Sequence, residues 1–411
     1  MRLPRPLRRL LDPHTGLITG FKSALRAQDS DEMARVLFRY GRRIGLRSGQ
    51  LATLQEVTTG RLTDTISHGE AGGALRELAK TLPANLSSTS WLTLENIART
   101  IGCFAASHDF SQGAHRVIAQ RGTTRTRFLS SLHQRDLAAS IEHFTSRPRG
   151  EDTSFWDQAG HYLWLWSHTE HGQPSFGKDS RFERLVSGHS VTILGPAPTS
   201  LQAEGADDES LVARVIMQEV LNWDPATDPL SGACHLAYAS RETRNWLRET
   251  DSWTALQAFD AVSFRLDNSN DAFPDTVDSY LRLARDPRAL MLGGSSPNMI
   301  PMMVWDVLGV PDVEVTLGGT TFFASKTAYT KGNRRLKHTT GKATDATGST
   351  GELFERCPTF ARHNVTENLT LVSNLITSGA IQADAETEAI AQMSIHDYLD
   401  TLDELYGKDR L

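Results

Sequence analysis

Cysteine is scarce: Cys103, Cys234 and Cys357 are the three in a chain of 411 residues. They stand far apart and form no CxxC pair, which argues against a zinc site and a disulfide framework and fits reduced thiols in the cytoplasm. No run of 18 apolar residues occurs, so no segment reads as a membrane span. No apolar stretch follows the N-terminal arginines, so the start does not read as a signal peptide. A strong net charge is missing too: 43 Lys and Arg against 49 Asp and Glu leave −6, with no chain-wide basic footprint for nucleic acid. No metal site is indicated. Gly-x-Gly-x-x-Gly and a Walker loop are likewise absent, so neither NAD nor ATP is specified.

What is present is a globular composition, 39% hydrophobic and 22% charged, in a chain long enough for two domains. The two halves differ in texture. Within a first domain of 1–185, residues 20–185 are mostly helical in period, with Leu25, Met33, Val36, Leu37 and Tyr40 at three-and-four spacing in 21–46, and further segments at 75–82, 92–106, 114–119 and 128–144. This predicts an all-helical N-terminal domain of antiparallel hairpins without a clean fixed-period repeat. At the extreme start, Arg2, Arg5, Arg8 and Arg9 stand beside Leu3, Leu7, Leu10 and Leu11. A short basic amphipathic helix of this kind can lie on the inner face of a membrane as a peripheral contact. The aromatics of 151–180 (Phe155, Trp156, Tyr162, Trp164, Trp166) read as core or a domain seam, with a sugar-stacking platform as the functional alternative.

Residues 186–411 alternate short apolar runs with helical stretches. Strands are expected at 191–194, 211–217, 234–238, 261–266, 289–292 and 313–317, and helices at 241–249, 276–284, 298–308, 364–378 and 395–406. The alternation predicts an α/β domain: a Rossmann-like, mostly parallel sheet with helices on both faces. A polar segment, 323–362, interrupts it with Lys326, Lys331, Arg334, Arg335, Lys337 and Lys342 and no acidic residue from 325 to 343.

Four turns in this half have the composition of a nucleotide site. Gly195-Pro196-Ala197-Pro198-Thr199-Ser200 closes the first expected strand with small residues and two hydroxyls, so a phosphate or ribose can approach the backbone. Gly293-Gly294-Ser295-Ser296-Pro297-Asn298 precedes a helix whose N-terminus attracts phosphate, with Ser296 as the expected cap. Gly318-Gly319-Thr320-Thr321 follows another strand. His363-Asn364-Val365-Thr366-Glu367-Asn368 opens a helix, and the four-residue spacing would put His363 and Glu367 on one face. Each turn is also compatible with an ordinary structural role.

The order of these four turns resembles the sialyltransferase pattern: a large motif with a strand and small-residue turn, a small motif with a serine turn, and a very small motif with a histidine. By that resemblance the chain is expected to be a bacterial glycosyltransferase, cytoplasmic, of the capsule or lipopolysaccharide type that uses CMP-activated sialic acid, Kdo or a related ulosonic acid. Gly195, Pro196, Ala197, Thr199 and Ser200 would match the donor turn; Gly294, Ser295, Ser296 and Asn298 the small motif; His363 the histidine; Gly319 and Thr320 complete the donor-binding set. The disulfide of the animal-type enzymes has no cysteines here, Pro196 replaces an asparagine, and the fifth place after His363 is Asn368 rather than a glutamate.

Such a donor loses CMP from a carbon already bearing a carboxylate, so the site must stabilise a departing phosphate. The turn N–H groups, His363 and a cation such as Lys331 or Arg334 are candidates. Asp267, then Asp260, in the stretch 259–268 are the candidate carboxylates, as base or as nucleophile. The expected partners are a CMP-sugar donor and a glycan or glycolipid acceptor, with no cofactor and no nucleic acid. A nucleotide-binding scaffold without turnover, its helical half recruiting partners, is the competing reading.

Overall fold

The protein is seen here as a computed structural model that describes residues 17, 20, 21, 23–25, 27, 29–148, 150, 152–168, 179–197, 210–216, 234–265, 273, 280–293, 295–325, 360 and 363–406. Nine described helices come first: α1 (Ser30–Arg43), α2 (Ser48–Leu62), α3 (His68–Thr81), α4 (Ser88–Thr100), α5 (Phe104–Arg121), α6 (Thr124–His133), α7 (Leu137–Thr145), α8 (Thr153–Ser167) and α9 (Ser180–Val186). Strands β1 (Ser190–Leu194), β2 (Leu211–Ile216) and β3 (Leu236–Ala239) follow, then α10 (Arg241–Thr250), β4 (Ala261–Phe264), β5 (Tyr280–Leu283), α11 (Met299–Leu308) and β6 (Glu314–Gly318). The chain continues with α12 (Val365–Thr377), β7 (Gln382–Ala383), α13 (Ala385–Gln392) and α14 (Ile395–Tyr406). Among the described residues no helix is long and apolar enough to cross a membrane. The basic segment 2–11 lies outside the described residues.

Contacts divide the chain into two compact units. One comprises Met1–Ser130, Ala346–Thr366 and Met393–Leu411; the other Ser131–Asp345 and Glu367–Gln392. The division does not fall at residue 186, where secondary structure changes from helix to sheet, because helices α7 to α9 cluster with the sheet.

The first unit is a helical array whose core draws Leu25, Leu37, Leu54, Leu75, Leu94 and Phe110 from successive helices. Its caps are encoded locally. Asp29 accepts from the Glu32 N–H, and Ser67 and Glu70 form a reciprocal capping box. The expected segment 92–106 is two helices, because Gly102 takes φ +79° between α4 and α5. The N-terminus of α5 is capped from a distance: both oxygens of Asp403 in α14 accept, from Phe104 N at 2.7 Å and Ala105 N at 2.9 Å.

The second unit is built on a seven-stranded sheet in the order β5-β4-β3-β2-β1-β6-β7, every pair parallel. Alternation along the strands shows that helices cover both faces. Ala237, Ala239, Val262 and Phe264 join a core with Leu247 of α10 on one side. Tyr238 and Ser263, one residue out of phase, face α11 on the other. There the Tyr238 hydroxyl donates to Asp306 Oδ2 at 2.7 Å. Arg282 of β5 grips the same carboxylate with two nitrogens, at 2.6 and 3.0 Å, and donates to Ser263 at 2.7 Å and Asp179 at 2.6 Å. Arg285 N adds a bond to Asp306 at 2.8 Å. Burial alone would lower the Arg282 pKa; Asp306 outweighs that and holds it above its ordinary value. Burial, reinforced by the Asp306 charge, pushes the Tyr238 phenol up, so it stays a donor.

Two expected elements are corrected. Of the helix expected at 276–284, the described part, 280–283, is strand β5: its Arg282 points inward to a prepared anion, which a hydrophobic period does not register. The strand expected at 289–292 is a 3-10 turn, Pro287–Leu290, started by Pro287 and capped by Asp286. Strand β7 and helix α13 were not expected; β7 is only two residues long. In α8, Phe155, Trp156, Tyr162 and Trp166 are buried as the core reading expects, while Trp164 is exposed.

The Asp306→Ala variant should lose about 3–5 kcal/mol of stability in urea unfolding, because it leaves the Arg282 guanidinium buried without its anion. A pH dependence follows from two buried histidines. Burial pushes His133 and His161 down to about 4, against the bonds to the Leu290 and Leu308 carbonyls, which pull them up. The unfolded chain therefore binds more protons than the folded one between pH about 6.5 and 4. The urea midpoint should be flat above that window and fall within it as the pH drops, and His133→Gln should flatten the fall; an unchanged midpoint at pH 5 would contradict the burial.

Candidate functional site

In an open parallel sheet, ligands sit beyond the carboxyl ends of the strands where the order of connection reverses, because the loops there diverge and leave a crevice. In this sheet the chain runs outward from β1 to β5, then returns to the other side of β1 for β6 and β7. The reversal falls between β1 and β6. Their carboxyl ends lead directly into Gly195-Pro196-Ala197 and Gly319-Thr320-Thr321, two of the four turns singled out above.

These two turns are joined by their backbones. Gly195 N donates to Gly318 O and Ala197 N to Gly319 O, both at 2.8 Å. A Cβ at position 195 would stand 2.2 Å from the Gly319 carbonyl oxygen, so glycine is required by close approach. Gly319 has φ +65°, and its N–H donates to Asp384 Oδ2 at 3.0 Å. The other Asp384 oxygen caps α13 through Thr387 N at 2.8 Å, and the Thr387 hydroxyl donates to Thr320 O at 2.9 Å. Expectation is corrected here: the N–H groups of Gly195, Ala197 and Gly319 are spent within the protein and are not donors for a phosphate.

The other two turns also meet. Helix α11 crosses from β5 to β6 and packs against β1 and β6, so its N-terminus lies at the carboxyl edge. The turn before it is held by the first turn of α12. Glu367, buried, accepts from Gly293 N at 3.3 Å and from the Ser295 hydroxyl at 3.2 Å. Asn368 Oδ1 accepts from Asn298 N at 2.5 Å. The cap of α11 is Asn298, not Ser296, and its side chain makes no capping bond. Pro301 brings no N–H to the first turn. The positive end of the helix is therefore carried by the Met299 and Ile300 N–H groups, with the Asn298 N–H already held by Asn368. Arg265, immediately after β4 at the same edge, donates to Pro297 O at 2.6 Å and puts a cation beside this turn.

The remaining expected residues fare differently. His363 stands in a bend two residues ahead of α12, in the first unit, so the shared helix face with Glu367 is not formed. Asp260 is exposed at the amino end of β4, the edge opposite the four turns, with its N–H on His235 O at 3.0 Å. Strand direction, invisible in a window of ten residues, excludes it from this edge. Asp267, Thr199, Ser200, Gly294, Lys331 and Arg334 lie outside the described residues. Asp384, Thr387 and Arg265 were missed; the signal for Arg265 was a cation directly after a strand. Among the described residues no cluster of His, Cys, Asp and Glu could hold a metal ion.

No protein-family profile matches the chain, and no curated protein does. Among solved structures, a mutant O-GlcNAc transferase of Thermobaculum terrenum aligns over 98% of this chain and 97% of its own, at 8% identity and a TM-score of 0.22. A score that low carries no argument, and the fold and site rest on the geometry above.

The Gly195→Ala variant should lose about 1–3 kcal/mol, since the new methyl must displace the Gly319 backbone. Gly73→Ala, on the exposed side of α3 with nothing within 4 Å of its Cβ, should gain up to about 1 kcal/mol. Paired urea titrations check both signs.

Proposed function

We propose that the second unit is a glycosyltransferase domain that takes an acidic sugar from a CMP donor at the carboxyl edge beside β1 and β6. The observation that carries the site is the pairwise meeting of the four turns at that edge: Gly195 against Gly319, and Gly293, Ser295 and Asn298 against Glu367 and Asn368. The cytidine and acidic-sugar parts rest on the motif order that resembles sialyltransferases, not on the geometry.

In this reading the phosphate lies at the start of α11, where helix N–H groups and Arg265 counter its charge as CMP departs. Ser295, Ser296 and Asn298 bound the donor site, with Thr320 near the β1 turn; Thr199 and Ser200 are assigned to the donor by the motif order alone. The motif order, not the geometry, nominates His363 of the first unit to accept the acceptor proton or donate to the departing phosphate, and Asp267 is the carboxylate to be tested first. The acceptor is a glycan or glycolipid, and the basic segment 2–11 brings the protein to the membrane face.

A thermal-shift panel of CMP, UDP, GDP and NAD on the purified full chain tests the donor. CMP should raise the midpoint most, and Arg265→Gln should reduce that rise several-fold. Equal or absent shifts across the panel would reject the cytidine assignment.

A further inference from the structure

Charge is distributed unevenly along the chain. The first 47 residues hold eleven Lys and Arg against four Asp and Glu, a formal +7, within a protein whose total is −6. The described part of this basic region is α1. Its inward face, Met33, Val36, Leu37 and Tyr40, is buried. Its outward face presents Arg35, Phe38, Arg39 and Arg42, at spacings of three, four and seven that form one stripe. Arg35 is 64% exposed and Arg39 70%. Phe38, at 48%, is one of three exposed large hydrophobics among the described residues. The Arg42 guanidinium stands 5.9 Å from the centre of the Phe38 ring. Glu32, at the head of the stripe, pairs with Arg35 at 2.6 Å and Arg39 at 3.1 Å. Exposed pairs of this kind are weak and leave arginine nitrogens free to be recruited.

We propose that the Arg35–Phe38–Arg39–Arg42 face of α1 is a docking surface for an anionic lipid bilayer. Charge complementarity supports the choice: a basic stripe flanked by Arg43 and Arg47 faces outward from an otherwise acidic chain. The apolar ring in its middle suits the headgroup boundary, where an aromatic side chain buries beside arginines that reach lipid phosphates. The stripe spans about 10 Å at 1.5 Å per residue, long enough for several headgroups and too short for a nucleic-acid track. The inference is independent of the donor assignment, since it uses no residue of the candidate site.

Co-sedimentation of the full chain with phosphatidylcholine vesicles, with and without phosphatidylglycerol, tests it. Binding is expected only to the anionic vesicles and should be released by high salt. Arg39→Gln with Arg42→Gln should weaken partitioning roughly 25-fold, about fivefold per cation. Phe38→Ser should weaken it further, with the thermal midpoint unchanged because all three positions are exposed. Four results would overturn the proposal: no anionic binding, equal binding to neutral vesicles, variants that bind like the parent, or tighter binding to an RNA oligonucleotide than to the vesicles. Variants that bind like the parent would assign the attraction to another basic segment.

Discussion

The buried carboxylate of Asp306 is the constraint on which the second unit depends. It lies in the last turn of α11, fully enclosed, and takes hydrogen bonds from Tyr238 of β3, Arg282 of β5 and the Arg285 backbone. Removing an anion and a guanidinium from water costs several kcal/mol each, and only close, saturated geometry offsets that cost. The arrangement is therefore selective: α11 sits correctly on the sheet only when β3, β4 and β5 present Tyr238, Ser263 and Arg282 in register. Through Arg282 the same network reaches Asp179, the cap of α9, so helix, sheet and crossover are positioned together.

That register has consequences at the carboxyl edge. With α11 held against β1 and β6, its N-terminus arrives where the strand order reverses. Glu367 and Asn368 then secure the turn before it, and Asp384 secures the turn after β6. The carboxylates among these residues hold groups of the protein itself: Glu367 the Gly293 N–H and the Ser295 hydroxyl, Asp384 the Gly319 and Thr387 N–H groups. At the same edge the start of α11 has a cap residue, Asn298, whose side chain makes no capping bond, and Arg265 holds the Pro297 carbonyl beside it.

Much of the fold was legible beforehand. The strands β1, β2, β3, β4 and β6 and the helices α10, α11, α12 and α14 stand close to where apolar runs and punctuation predict them, because each buries a periodic set of side chains. The misses have separate causes: β5 carries a buried arginine, and β7 is too short to show a period. The boundary between compact units follows the packing of α7 to α9.

The sequence by itself determined that a helical array precedes an alternating α/β region, and that small-residue turns with hydroxyls stand at strand ends and helix starts. Those are local properties of period, cap and backbone freedom. Only the tertiary structure decided which turns are neighbours, that the glycine N–H groups are consumed by the facing strand and Asp384, and that Asp260 lies at the wrong edge. Pairing, strand direction and the occupancy of hydrogen bonds depend on residues as far apart as Gly195 and Gly319, or Gly293 and Glu367, which only folding brings together.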